Sequence, residues 1–95
     1  MPTEVDGIKF PSKKEARRYG ELKLLEREGK IQGLEVHKRW QLVVNEMRIG
    51  YYEADFDYLE DGEHVVEDCK GVRTTAYQLK KRLTMALFGV TIKET

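Results

Sequence analysis

Residues 51–70 leave this chain little conformational choice. Tyr51 to Tyr58 alternate strictly, with Tyr52, Ala54, Phe56 and Tyr58 on one face and Glu53, Asp55 and Asp57 on the other. That is the period of an extended strand. Leu59-Glu60-Asp61-Gly62-Glu63 follows, with Asp-Gly as the turn. A second strand over 64–70 completes a predicted hairpin over 51–70, and Gly71 ends it.

Asp55 lies on the first of these strands. Asp68 and Lys70 lie on the second, two residues apart and so on one face. Val65 and Cys69 point the opposite way, with Glu67 between them. Carboxylates facing each other across adjacent strands can share a Mg²⁺ ion, a hard cation that takes oxygen ligands and keeps waters or substrate phosphate for the rest. An ammonium group at Lys70 would then stand beside the reacting centre, where it steadies developing negative charge.

Upstream, Val5-Asp6-Gly7-Ile8-Lys9-Phe10 reads as a small hairpin or arm within residues 1–11. Ser12-Lys13-Lys14-Glu15 forms a capping box, opening a helix to about Glu28 that stops at Gly29. Residues 34–44 favour strand, and Met47 to Gly50 reads as a turn. Thr74 or Thr75 caps a second helix to about Phe88, with Ala76, Leu79, Leu83 and Ala86 as its apolar stripe. Val90 to Lys93 is a short last strand, reached through a helix and therefore expected to pair in parallel. The predicted class is α/β, with a mixed sheet in the order α-β-β-β-α-β.

Glu15 has two readings. As the third residue of the helix it can bond back to Ser12, a purely local role. Tyr19, Leu22 and Leu25 follow at helical spacing, however, so Glu15 heads the inward stripe. A carboxylate aimed at the sheet needs a partner, and a metal ion supplies one.

Ninety-five residues make one domain, 1–95, with no room for a separate sequence-reading module. No apolar stretch reaches the length of a membrane span, and Met-Pro-Thr-Glu does not open a signal peptide. A single cysteine points to a reducing compartment, hence the cytoplasm. Seventeen basic and seventeen acidic residues cancel, but they are segregated. Residues 53–68 carry eight acids and no Lys or Arg, whereas 69–82 carry five basic residues and no acid. Residues 9–18 add five more cations against Glu15 alone. Such a pattern suits an acidic metal pocket rimmed by phosphate-binding cations. Lys13, Lys14, Arg17 and Arg18 on the first helix, and Tyr77, Lys80 and Lys81 on the second, are the candidates for nucleic-acid contact.

Other chemistries fit less well. The twelve residues from Asp57 to Asp68 have the length and central glycine of a calcium loop, but Leu59 stands where an oxygen ligand belongs. His37 and His64 have no second ligand at useful spacing and read as surface residues. Cys69 reads as a small core residue.

Together these stretches resemble the PD-(D/E)XK nuclease superfamily, and more closely a family of small phage-encoded nucleases within it. The likeness rests on Val5-Asp6-Gly7-Ile8-Lys9-Phe10, Ser12-Lys13-Lys14-Glu15-Ala16-Arg17-Arg18-Tyr19, Ala54-Asp55-Phe56, Val65-Val66-Glu67-Asp68-Cys69-Lys70-Gly71 and Tyr77-x-Leu79-Lys80. The Pro that names the motif is absent, since Glu53-Ala54 precedes Asp55.

The resemblance implies a restriction-endonuclease-like core, a central mixed sheet flanked by helices. It implies Mg²⁺ or Mn²⁺ held by Glu15, Asp55 and Asp68, with Lys70 assisting the attacking water. Glu67 competes with Asp68 for the ligand role, and only Asp68 lies two residues before Lys70. The implied activity is DNA endonuclease, leaving 5′-phosphate and 3′-hydroxyl ends, on a branched or nicked substrate such as a Holliday junction. A homodimer and the cytoplasm of a phage-infected or prophage-carrying bacterial host go with it. The alternative is a non-catalytic nucleic-acid-binding or assembly protein on the same fold. It would keep Arg17, Arg18, Lys80 and Lys81 without needing the acids and Lys70 together.

Overall fold

The computed structural model describes residues 2–69 and 73–95. Lys70 and the Gly71 stop therefore lie outside the described residues. The chain opens with an antiparallel hairpin, β1 (Thr3–Val5) and β2 (Ile8–Phe10). Its turn residues Asp6 and Gly7 both adopt positive φ, 52° and 77°, the geometry that right-twisted strands need in a two-residue loop.

Helix α1 (Lys13–Arg27) follows, with Ser12 as its N-cap and Gly29 at φ 77° just past its end. It lays Ala16, Tyr19 and Leu22 onto a core shared with Phe10, Ile31, Phe56 and Tyr58. Tyr19 spans two elements, its hydroxyl donating to Asp6 Oδ2 at 3.0 Å.

Beyond α1 the chain forms β3 (Gln32–Val36), β4 (Arg39–Val44), β5 (Met47–Glu53), β6 (Phe56–Glu60), β7 (Glu63–Asp68), α2 (Thr75–Phe88) and β8 (Thr91–Glu94). Strands β3-β6-β7-β8 make the central sheet. Its first two pairings are antiparallel and the β7–β8 pairing is parallel. The sheet is mixed, as expected, and its last strand is the parallel one.

Strand β7 shows how the sheet divides two cores. Val65 and Cys69 pack with the α1 cluster. Val66 packs on the other face with Leu42, Tyr52, Ala54 and Ile92, beneath β4, β5 and α2. The molecule is thus layered: the N-terminal hairpin and α1, then the sheet, then the β4–β5 hairpin and α2.

Three predicted elements differ from the structure. The single strand over 34–44 is two strands in different sheets, because His37 turns the chain at φ 57°. The turn expected at 47–50 lies earlier, at Asn45 and Glu46 (φ 48° and 67°), and Met47–Gly50 belongs to β5. The alternating run 51–58 breaks at Ala54-Asp55. Tyr52 and Ala54 join one core, whereas Phe56 and Tyr58 join the other. Alternation fixes which side chains share a face only while the strand stays in one sheet.

Helix α2 is also rotated from its predicted face. Thr84 is its buried residue, with Tyr77, Leu83 and Met85 against the core. Ala76, Leu79 and Ala86 face solvent. The Thr84 hydroxyl meets its burial by donating to the Lys80 carbonyl at 2.7 Å.

Candidate metal centre

The break between β5 and β6 places Asp55 where the chain crosses from the outer hairpin into the central sheet. Its backbone is held on both sides. Asp55 N–H donates to the Glu67 carbonyl at 3.1 Å, and the Asp55 carbonyl accepts from His37 N–H at 3.1 Å. Its carboxylate Oδ2 accepts from the Cys69 amide at 2.6 Å.

Glu15 arrives from α1. Ser12 Oγ accepts from Glu15 N–H at 3.2 Å, making the predicted cap. The Glu15 side chain does something else: it is 3% exposed and its Oε2 stands 3.2 Å from His37 Nε2. The inward reading of Glu15 therefore describes its geometry.

Asp55, 7% exposed, has its carboxyl within hydrogen-bonding reach of both Glu15 and Asp68. Burial pushes its pKa above the usual carboxylate range and the neighbouring Glu15 adds to this, against the pull of the Cys69 amide and Asp68. Asp68 is fully buried at the end of β7 and accepts a hydrogen bond from the Tyr52 hydroxyl. Burial and this contact together raise the Tyr52 pKa well above that of a free phenol.

Acids from a helix, a crossing segment and a strand end thus meet at one end of the sheet. Ligand atoms of Glu15, His37 and Asp55 all lie within 4.8 Å of one another. Among the described residues, neither Glu15 nor Asp55 has a Lys or Arg partner. Two buried carboxylates within 4.8 Å of each other and of an imidazole, with Asp68 acting on Asp55, form a donor set suited to a divalent cation.

Glu67, the rival ligand, points the other way. Its carboxylate takes a two-pronged grip from Arg18, Nε to Oε1 at 2.8 Å and Nη2 to Oε2 at 2.7 Å. Tyr58 donates a third hydrogen bond. Burial alone would raise the Glu67 pKa, but Arg18 and Tyr58 outweigh it and hold it below the usual range.

The expected nucleic-acid contacts fall into two groups. Lys13, Lys14, Arg17 and Lys80 are exposed. Lys14 and Arg17 line a cleft of about 280 Å³ with Arg18, Glu21, Cys69 and Lys93. Lys80 lines another of about 390 Å³ with Tyr51 and Tyr77. Arg18, Tyr77 and Lys81 are instead engaged by acids of this chain. Arg18 is committed to Glu67. Tyr77 is half-buried and donates to Glu94 Oε2 at 3.0 Å, and Lys81 Nζ stands 3.5 Å from Glu94 Oε1. The rotation of α2 explains the last two, because it turns their side of the helix toward the sheet.

Both histidines, expected at the surface, are half-buried and paired. His37 joins the acid cluster, and His64 Nε2 lies 2.6 Å from Oδ1 of buried Asp57. Their partners in space lie outside any short motif, so spacing gave no signal.

A family model described as "Protein of unknown function (DUF1064)" matches residues 2–93. The chain belongs to the DUF1064 family. No curated protein and no solved structure matches it. The span matched to DUF1064 contains Glu15, His37, Asp55, Glu67 and Asp68, so the acid cluster and the Arg18–Glu67 lock both lie inside it. No described helix of this DUF1064 chain is long and apolar enough to cross a membrane.

Proposed function

We propose that this chain is a metal-dependent DNA endonuclease with a restriction-endonuclease-like arrangement. The observation that carries the reading is the meeting of Glu15, His37 and Asp55 at one end of a mixed sheet, with Asp68 acting on Asp55 and a cleft lined by Lys14 and Arg17 on the same helix as Glu15. The resemblance of the same residues to PD-(D/E)XK motifs supports it.

Glu15, Asp55 and Asp68 would hold Mg²⁺ or Mn²⁺. When bound, such an ion polarises the scissile phosphate and acidifies water. The chain supplies the rest. The Cys69 amide fixes Asp55, and Tyr52 fixes Asp68. Lys70, two residues past Asp68, offers an ammonium group to the attacking water. Water attacks phosphorus in line, the P–O3′ bond breaks, and the departing oxygen takes a proton. The products are a 5′-phosphate and a 3′-hydroxyl.

Lys13, Lys14, Arg17 and Lys80 would grip phosphates, which position DNA without reading its sequence. A substrate chosen by shape, branched or nicked, follows from contacts of that kind. A homodimer belongs to this reading, and the exposed stripe of Ala76, Leu79 and Ala86 offers it apolar surface. Sedimentation analysis tests the dimer, since Leu79→Glu should yield monomer.

The decisive experiment incubates the protein with Mg²⁺ or Mn²⁺ and four-way-junction, nicked or linear duplex DNA. Asp55→Ala, Asp68→Ala and Lys70→Ala run beside it. Cleavage by the wild type alone supports the reading. Identical behaviour of wild type and variants removes it, and binding without cleavage favours a non-catalytic nucleic-acid-binding protein.

A further inference from the structure

The Glu15–His37 contact has an ordinary explanation, a hydrogen bond that gives one buried acid a partner. Several observations go beyond it. His37 sits at φ 57°, a conformation uncommon for a residue with a side chain. Its amide is tied to the Asp55 carbonyl and its ring stands 5.7 Å from that of Phe10. The imidazole is thus held beside the acids by backbone and packing as well as by its contact with Glu15.

Distances fit a shared ion. A six-coordinate divalent ion holds its ligand atoms about 2.1 Å away, so adjacent ligands stand about 3 Å apart and opposite ones about 4.2 Å apart. Glu15 Oε2 and His37 Nε2 are 3.2 Å apart, the edge of such an octahedron. The whole set lies within 4.8 Å. Its widest pair therefore needs to close by no more than about 0.6 Å.

We infer that His37 is a nitrogen ligand of the metal centre and that it makes the site prefer Mn²⁺ to Mg²⁺. This deepens the nuclease reading by naming the ion, and it rests on the same acid cluster. Mg²⁺ favours an all-oxygen shell and sheds water reluctantly. First-row transition ions accept imidazole more readily and bind mixed nitrogen–oxygen sites more tightly. Glu15 and Asp55 alone would take either ion, and His37 separates them.

The test measures ion binding without DNA. Isothermal titration of the full chain should show Mn²⁺ binding at least about tenfold tighter than Mg²⁺. Pulsed electron paramagnetic resonance of bound Mn²⁺ should show coupling to a directly bonded imidazole ¹⁴N. His37→Asn tolerates the positive φ and so keeps the fold, which circular dichroism checks. It should abolish the ¹⁴N coupling and narrow the preference to within about threefold. His37→Asp, which adds an oxygen donor, should strengthen Mg²⁺ binding.

Mn²⁺ bound without ¹⁴N coupling, equal affinities for the two ions, or no binding at all would overturn the inference. DNA left uncut by a protein that binds Mn²⁺ through ¹⁴N would remove the nuclease reading and leave this one standing.

Discussion

Arg18 and Glu67 hold each other through two hydrogen bonds, of 2.8 and 2.7 Å, with the Glu67 carboxylate fully buried. Removing one partner of a buried pair strands the other, at a cost of roughly 3–5 kcal/mol. Arg18→Met should therefore lower unfolding free energy by about that much in urea titration. Ion binding at the acid cluster should be unchanged, because the Glu67 carboxylate is held by Arg18 and Tyr58 and is not among the clustered ligand atoms of Glu15, His37 and Asp55. Glu67 also sets a pH dependence. Its carboxyl titrates lower in the folded protein than in the unfolded chain, so its contribution is complete above the ordinary carboxylate range. That contribution is lost as pH falls through the lowered value. Asp55 has the opposite sign. Its raised pKa is a penalty that appears as pH rises above the ordinary value, and it is relieved in acid. Asp55→Asn should accordingly raise the thermal midpoint of the metal-free protein near neutral pH and abolish the rise caused by Mn²⁺. At this scale the sequence was half legible. Alternation put Glu67 and Asp68 on opposite faces, but which face α1 covers is decided by tertiary packing.

Hairpins in this chain are written in two-residue turns with positive φ. Asp6-Gly7 and Asp61-Gly62 follow the residue preference of such turns and could be read directly. Asn45-Glu46 adopts the same form with Glu at the second position, where glycine is favoured. That single departure hid the β4–β5 hairpin and displaced the expected turn to Met47–Gly50. Glu46→Gly should relieve the strain and stabilise the fold by up to about 1 kcal/mol, measurable by thermal unfolding. Gly62→Ala, at φ 78°, should cost about 1 kcal/mol. Helix limits were legible because Ser12, Thr74, Gly29 and Gly89 are cap residues acting locally. The buried face of α2 was not. Two faces of that helix are partly apolar, and the tyrosine contacts to Glu94 and the Tyr52 ring select between them.

For the whole molecule, an ion that binds only the folded chain stabilises it in proportion to the logarithm of its concentration. At one hundred times the dissociation constant the gain is about 2.7 kcal/mol, a shift on the order of 10 °C or more for a domain of this size. A Mn²⁺ titration followed by thermal unfolding should show it. Charge segregation makes a second prediction. If Lys14 and Arg17 each hold a phosphate, replacing either with Ala should reduce the salt dependence of DNA binding by about one phosphate. Arg18, committed to Glu67, should show no such loss when measured in a variant that still folds. The crossing at Ala54-Asp55 bears on assembly as well. Glu15 reaches His37 and Asp55 only when α1 has docked on the sheet. The three local hairpins can close on their own within microseconds. Ion affinity will therefore be absent from any early hairpin-containing intermediate and appear with the last docking step. During refolding, the metal-centre signal should lag the strand signal and serve as a clock for completion of the fold.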